Sequence, residues 1–278
     1  MPDPSCENRT ESEQVRSLLS AIHERYGVDL RDYARASITR RIQGTIRAEK
    51  LASIPQLERR LLVDSECMER FLIAATVNVT SMFRDPAFYR AFRAEVIPQL
   101  RPRPFLRIWH AGCSTGEEAF SLAILLREEG LAERCRIYAT DVNADVLAKA
   151  KRGVFPLHAL REYTRNYIAA GGSQAFSMYY TARYEHVLFN RTLAGNIVFS
   201  QHNLVADGPF NEFDVILCRN VMIYFNQSLA NRVHDLLFAS LLPASFLCLG
   251  ASESVQFTPH ESCYQTFQAE QRIYQKRA

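Results

Sequence analysis

The chain has 278 residues, 47% of them hydrophobic and 23% charged, with 33 basic against 30 acidic side chains and a formal net charge of +3. This composition fits one large or two modest globular domains and excludes wholesale disorder and collagen-like repeats. The small charge does not by itself mark a nucleic-acid binder. No apolar run nears the roughly 20 residues that cross a bilayer, and Met1 to Gln14 lacks a basic-then-apolar export profile, so a cytoplasmic protein without membrane insertion is expected.

From Glu11 to about Ala94, apolar residues recur at spacings of three and four, as in Leu18, Leu19, Ile22 and Tyr26 or Ile38, Ile42 and Ile46, which predicts an all-α first domain over 1–97. Residues 31–60 hold eight basic and three acidic residues. On a helix from Tyr33 to Glu49, weakened by Gly44, the residues Arg40, Gln43, Arg47 and Lys50 lie opposite Ile38, Ile42 and Ile46. One face packs and the other is basic.

Three prolines between Pro98 and Pro104 favour an extended linker at 98–104. Beyond it the pattern alternates. Strands are expected at Phe105 to Trp109, Arg136 to Thr140, Asn196 to Ser200, Phe213 to Cys218 and Phe246 to Gly250, and helices at Glu117 to Glu128, Ala144 to Lys151 and Ser228 to Leu241. A closing hairpin is expected at Tyr264 to Gln268 and Arg272 to Gln275. Such alternation implies an α/β domain over 105–278 with a parallel sheet. Gly171-Gly172 and the aromatic stretch after it break the rhythm and mark an inserted β-subdomain at about 161–200. The seven scattered cysteines signal neither a disulfide framework nor a metal site, and those within apolar runs, such as Cys218 and Cys248, read as small buried hydrophobes.

The most informative segment is Ile108-Trp-His-Ala-Gly-Cys-Ser-Thr-Gly-Glu-Glu118, a strand that runs through small residues into a helix. Small residues let a backbone approach a ligand, and a helix start offers free N–H groups. Yet the dinucleotide fingerprint needs three glycines, and this loop has Gly112 and Gly116 followed by Glu117 and Glu118, which repel a pyrophosphate and tolerate a sulfonium. The next strand ends at Asp141, where a carboxylate can bind ribose hydroxyls. Together these favour S-adenosylmethionine over NAD. Arg219 and Asn220 follow an apolar strand at the end where α/β sheets bind ligands, and Asn78 to Pro86 is a polar break between helices. That break is open to reading as a helix cap at Thr80 or Asp85.

Asn78-Val-Thr-Ser-Met-Phe-Arg-Asp85, Ala111-Gly-Cys-Ser-Thr-Gly-Glu-Glu118, Ala139-Thr-Asp141, His202-Asn-Leu204, Phe213-Asp-Val-Ile-Leu-Cys-Arg-Asn-Val-Met-Ile-Tyr-Phe225 and Gly250-Ala-Ser-Glu-Ser254 resemble, in order, the motif set of the CheR-type chemotaxis receptor methyltransferases. The resemblance runs from about residue 15 to the end. It implies an all-α amino-terminal domain that recognises the receptor, then a Rossmann-like S-adenosylmethionine-dependent methyltransferase domain with an antiparallel carboxy-terminal strand and a small inserted β-subdomain. The implied reaction is methyl transfer to glutamate side chains of bacterial methyl-accepting chemoreceptors, giving glutamate 5-O-methyl esters and S-adenosylhomocysteine, with the enzyme acting as a monomer.

Carried over by resemblance, Asn78, Thr80 and Arg84 reach the cofactor pocket; Glu118 and Asp141 hold the amino-acid and ribose parts; Asn203 and Leu204 border the adenine; Arg219, Asn220 and Val221 line the methyl side. Arg84 and Tyr224 stand beside the reacting centre. Arg40, Arg41 and Arg47 are the candidate receptor contacts, and a receptor carboxy-terminal tail peptide is a further implied partner of the β-subdomain. The sequence departs from the family pattern at Ala119-Phe120, where proline and tyrosine are common, and at Gly44-Thr45, where arginine is more frequent. The competing readings are an NAD-dependent oxidoreductase, a nucleic-acid methyltransferase, for which a broader positive field is expected, and a receptor-binding regulator that keeps the fold without turnover.

Overall fold

The computed structural model describes residues 10–26, 30–31, 33, 35–75, 80–225 and 227–278, excepting the side chains of Glu69, Leu72, Ile73, Ala75 and Tyr224. The described chain forms two compact units, the first built from residues before 79 together with Tyr224–Ala230, the second from the remainder.

The first unit is helical: α1 (Glu11–Tyr26), α2 (Arg35–Ala48), α3 (Ile54–Val63) and α4 (Ser65–Ala75). Spacings of three and four put Leu18, Ile22, Ile38, Ile42, Leu57, Leu61 and Phe71 into one core. Ser53 caps α3, its hydroxyl accepting from the Gln56 N–H, with Pro55 in the first turn where a missing N–H costs nothing. On α2, Arg40 and Arg47 are exposed as the periodicity predicts, but Arg41 is only 7% exposed. It lies on the side of Ile38, Ile42, Thr45 and Ile46, so the basic face is narrower than the sequence suggests.

The second unit opens with α5 (Pro86–Ala91), a wider helical turn at Phe92–Val96, and α6 (Ile97–Leu100). Phe88, Tyr89, Phe92, Val96, Ile97 and Leu100 are buried in the same core as the sheet. The proline-rich segment 98–104 therefore lies inside this unit and does not divide the two, because the helices before it carry an apolar face that joins the core of the sheet and its helices. There follow β1 (Leu106–Ala111), α7 (Glu117–Glu128), β2 (Cys135–Asp141), α8 (Ala144–Arg152), β3 (Val154–Pro156), α9 (Leu160–Ala169), β4 (Tyr180–Arg183), β5 (His186–Phe189), α10 (Arg191–Ala194), β6 (Ile197–Gln201), β7 (Phe213–Cys218), α11 (Gln227–Ser240), β8 (Leu241–Leu249), β9 (Tyr264–Gln268) and β10 (Ile273–Lys276).

The main sheet has the order β6-β2-β1-β7-β8-β10-β9. The first five strands are parallel, and the closing hairpin is antiparallel. Strand β7 is buried at every position, as a central strand covered on both faces must be. The inserted β-subdomain is a three-stranded antiparallel sheet, β3-β5-β4. It recruits β3 from before the expected insertion, while β6 belongs to the main sheet. Cys67, Cys113, Cys135, Cys218 and Cys248 are buried free thiols. Among the described residues no helix is long and apolar enough to cross a membrane.

Candidate functional site

Strand order reverses at β1: the chain builds outward through β2 to β6, then returns to place β7 on the other side. Ligands of open α/β sheets bind in the crevice at the carboxyl ends of the strands where this happens.

On the β1 side, residues 112–116 turn the chain into α7. Gly112 has φ +74, and the N–H groups of Gly112 and Cys113 both donate to the Thr140 carbonyl at 2.8 Å. A Cβ at Gly112 would stand 2.5 Å from Val221 Cγ2, and one at Gly116 would stand 2.9 Å from Ala150 Cβ. The small residues are therefore required first by close approach of the chain to itself.

Asp141 closes β2. Its Oδ2 accepts from the Ser114 N–H at 2.8 Å and its Oδ1 from the Asn143 N–H at 3.0 Å. Burial pushes its pKa up against the pull of these bonds. The His202 N–H donates to the Asp141 carbonyl at 3.1 Å, which brings the half-buried Asn203 and Leu204 alongside. The Asn203 side chain holds its own turn, its Oδ1 accepting from the Val205 N–H at 2.9 Å.

The adjacent glutamates at the start of α7 diverge. Glu117 accepts from the Thr115 hydroxyl at 2.6 Å and the Tyr163 hydroxyl at 3.4 Å, and burial raises its pKa. Glu118 is also buried, but the Arg219 guanidinium and the His110 ring outweigh the cost of desolvation and hold its pKa at about 2. Its carboxylate is paired to Arg219, contacts His110 Nε2 at 3.2 Å and accepts from the Tyr89 hydroxyl at 3.4 Å. Arg219, 5% exposed, also binds Asp85 at 2.9 Å and lies over the Phe88 ring, 4.0 Å from its centroid. The repulsion that the sequence assigns to both glutamates is thus already offset at Glu118 by a buried cation.

Asp85 explains the polar break at residues 80–85. The segment is anchored by the Phe83 N–H donating to Ser121 Oγ at 2.9 Å and by Asn166 Nδ2 donating to the Met82 carbonyl at 3.1 Å. Asp85 precedes Pro86, where the sequence suggests a cap, yet its carboxylate makes no capping bond and reaches Arg219 instead. Thr80 and Arg84 sit half-buried in the same segment. Asn78 lies outside the described residues. Tyr224 ends the single helical turn Met222–Tyr224, and its side chain is likewise outside the description.

Sequence reasoning passes over three participants. Asp85 and His110 read as a cap and a strand residue, and only the position of Arg219 and Glu118 separates them from those roles. Glu253, 5% exposed, accepts the N–H groups of Gly250, Asn220, Val221 and Met222 at 2.6, 2.8, 2.9 and 2.7 Å.

The pocket chemistry fits an amino-acid-bearing, ribose-bearing cation. Asp141 can accept hydroxyl protons, the cluster of Glu118 and Asp85 exceeds Arg219 by one negative charge, and Arg219 Nε and His110 Nδ1 are buried without a hydrogen-bond partner among the described residues. This strand order, with an aspartate closing the second strand, suits an S-adenosylmethionine-dependent methyltransferase, the class that the family match shows.

The chain belongs to the CheR methyltransferase family: the family's S-adenosylmethionine-binding domain matches residues 78–272 and its all-alpha domain residues 13–76. Over 263 residues it is 43% identical to a Pseudomonas putida protein that carries the name methyltransferase Cher3, covering 95% of this chain and 96% of the relative. It is 31% identical to chemotaxis protein methyltransferase 2 of Pseudomonas aeruginosa (91% and 89% covered) and 30% identical to the chemotaxis protein methyltransferase of Salmonella typhimurium (86% and 83%). Among solved structures, the N-methyltransferase NodS of Bradyrhizobium japonicum with bound S-adenosyl-L-homocysteine aligns over 70% of each chain at 15% identity with a TM-score of 0.35, a likeness too low to carry an argument.

Proposed function

We propose that this methyltransferase acts in chemotaxis and esterifies glutamate side chains of methyl-accepting chemoreceptors, giving glutamate 5-O-methyl esters. The observation that carries the reading is the acidic cluster at the sheet's carboxyl edge, Glu118 and Asp141 buried on either side of residues 112–116, in a chain similar along nearly its whole length to proteins named chemotaxis protein methyltransferase. Bound S-adenosylmethionine supplies the methyl group as a sulfonium substituent.

The substrate glutamate, with a reference pKa near 4.3, is ionised at neutral pH and needs no base. The protein's task is alignment, for which effective molarities are large. Asp141 binds the ribose hydroxyls, and Glu118 orients the amino-acid part from its place beside Arg219. Asn203 and Leu204 border the adenine; Asn220 and Val221 line the methyl side. Asn78, Thr80 and Arg84 complete the pocket from the preceding segment. Arg84 orients a carboxylate through its planar fork, and Tyr224 fixes the geometry at the reacting centre.

The helical unit recognises the receptor's cytoplasmic helices through the exposed Arg40 and Arg47, whose charge steers an acidic partner. The β-subdomain is the proposed seat of a receptor tail peptide. Calorimetry with S-adenosylmethionine and S-adenosylhomocysteine, followed by base-labile methyl release from candidate receptors, tests the reading: binding with ester formation supports it, and binding without transfer to any receptor leaves a regulator that keeps the fold. Arg84→Lys and Tyr224→Phe should lower turnover; rates within about twofold of wild type, under 0.5 kcal/mol of barrier, remove both from the mechanism.

A further inference from the structure

Glu253 lies just beyond the carboxyl ends of β7 and β8, and its surroundings are unusual for an acid. Its two oxygens receive four backbone N–H groups: Oε2 accepts from Gly250 at 2.6 Å and Asn220 at 2.8 Å, Oε1 from Val221 at 2.9 Å and Met222 at 2.7 Å. Three of these donors are consecutive, so one carboxylate dictates the path of the chain that leaves β7. Along that path Asn220 has φ +60, in the left-handed region that asparagine tolerates better than other non-glycine residues.

Two contacts carry the effect toward the cofactor loop. A Cβ at Gly250 would stand 2.7 Å from both the Asn220 nitrogen and Glu253 Oε2, so glycine is what lets the clamp close. On its other side the clamped Val221 presses its Cγ2 against Gly112, at 2.5 Å from where a Cβ would stand. The carboxylate thus sets Val221, and Val221 sets the turn between β1 and α7.

We propose that Glu253 is a positioning residue for methyl transfer: it never touches the cofactor but fixes Asn220 and Val221 on the methyl side by gathering the N–H groups of residues 220–222 and Gly250. This rests on the reading of Asn220 and Val221 as methyl-side residues, and alignment errors of about 1 Å can cost about a hundredfold in rate.

The test is Glu253→Gln, which keeps size and reach but turns an amide NH2 toward two backbone N–H donors. Working well below the variant's melting temperature, turnover at saturating S-adenosylmethionine should fall at least about tenfold, with a smaller rise in the Kd for S-adenosylhomocysteine. Gly250→Ala, which spreads the same clamp with the carboxylate intact, should reproduce the split. A folded Glu253→Gln protein with both constants within twofold of wild type, whatever its melting temperature, makes the residue merely structural and overturns the proposal. Should neither variant fold, hydrogen exchange on the wild type decides: slow exchange at the amides of Gly250, Asn220, Val221 and Met222 in the S-adenosylhomocysteine complex supports the clamp, and fast exchange at these four refutes it. Loss of S-adenosylmethionine binding by the wild type would refute the cofactor site itself, a separate outcome.

Discussion

Two buried carboxylates at the same edge of the sheet are satisfied by different means. Glu118 is held by side chains, Arg219, His110 and Tyr89, whereas Glu253 is held by four backbone N–H groups. The consequence appears in their pKa values: a full guanidinium charge drives Glu118 down to about 2, while burial raises Glu253 despite its four N–H bonds. Side chains can rotate and exchange a protein partner for a ligand; backbone donors cannot move without moving the chain. Under the proposed function Glu118 is the one that can trade interactions with a bound molecule, while Glu253 holds the path of the chain.

The largest test of this contrast is Glu118→Ala, which leaves Arg219 buried with only the half-exposed Asp85. Breaking one side of a buried pair costs about 3–5 kcal/mol, to be read from the denaturant midpoint. Acid supplies the next. Because the folded pKa of Glu118 lies below its unfolded value, its contribution is complete above about pH 4.3 and is lost as the pH falls toward 2, on the order of 3 kcal/mol. Glu253 and Asp141 act with the opposite sign: their raised values mean that ionisation works against the fold, so protonation on the acidic side relieves that cost. Denaturation curves from pH 6 to 2 should show a loss in the wild type at the acid end that is shallower in Glu118→Gln, where Glu128, also held low, still contributes.

Arg219→Lys keeps the charge but cannot span Glu118 and Asp85 or lie flat on Phe88, and should cost about 1–2 kcal/mol in thermal or chemical unfolding. Tyr89→Phe removes a hydroxyl that contacts Glu118 at 3.4 Å and also bonds Ser121, and should cost about 0.5–1 kcal/mol. A larger loss there than at Arg219→Lys would reverse the ranking and place the weight of the cluster on the hydroxyl.

Much of the second unit is legible in sequence. Helix α7 and strand β7 fall at their expected bounds because Glu117 to Glu128 and Phe213 to Cys218 carry unbroken periodicities between clear breaks. Strand β8 begins at Leu241 and not at Phe246, since its first half holds Pro243 and a left-handed Ala244, which carry no strand signal. The linker expected at 98–104 fails as a divider for a similar reason: prolines report local chain stiffness, whereas membership of a core depends on what covers Phe88, Phe92 and Leu100. Arg41 reads as one more basic residue until the helix phase within the bundle turns it inward.

What the sequence determined by itself is the identity and order of the groups: an acid after each of two strands, an arginine after a third, glycines where the chain must turn, and a motif order that resembles one family throughout. Those are properties of adjacency and period, which a linear chain encodes directly. Only the tertiary structure decided which charges meet. Asp85, Glu118 and Arg219 are separated by 33 and 101 residues, and nothing in local propensity states that a buried guanidinium will join them, or that Glu253 will spend its lone pairs on four amides. Desolvation gives such groups their energies, and desolvation exists only once the chain has folded around them.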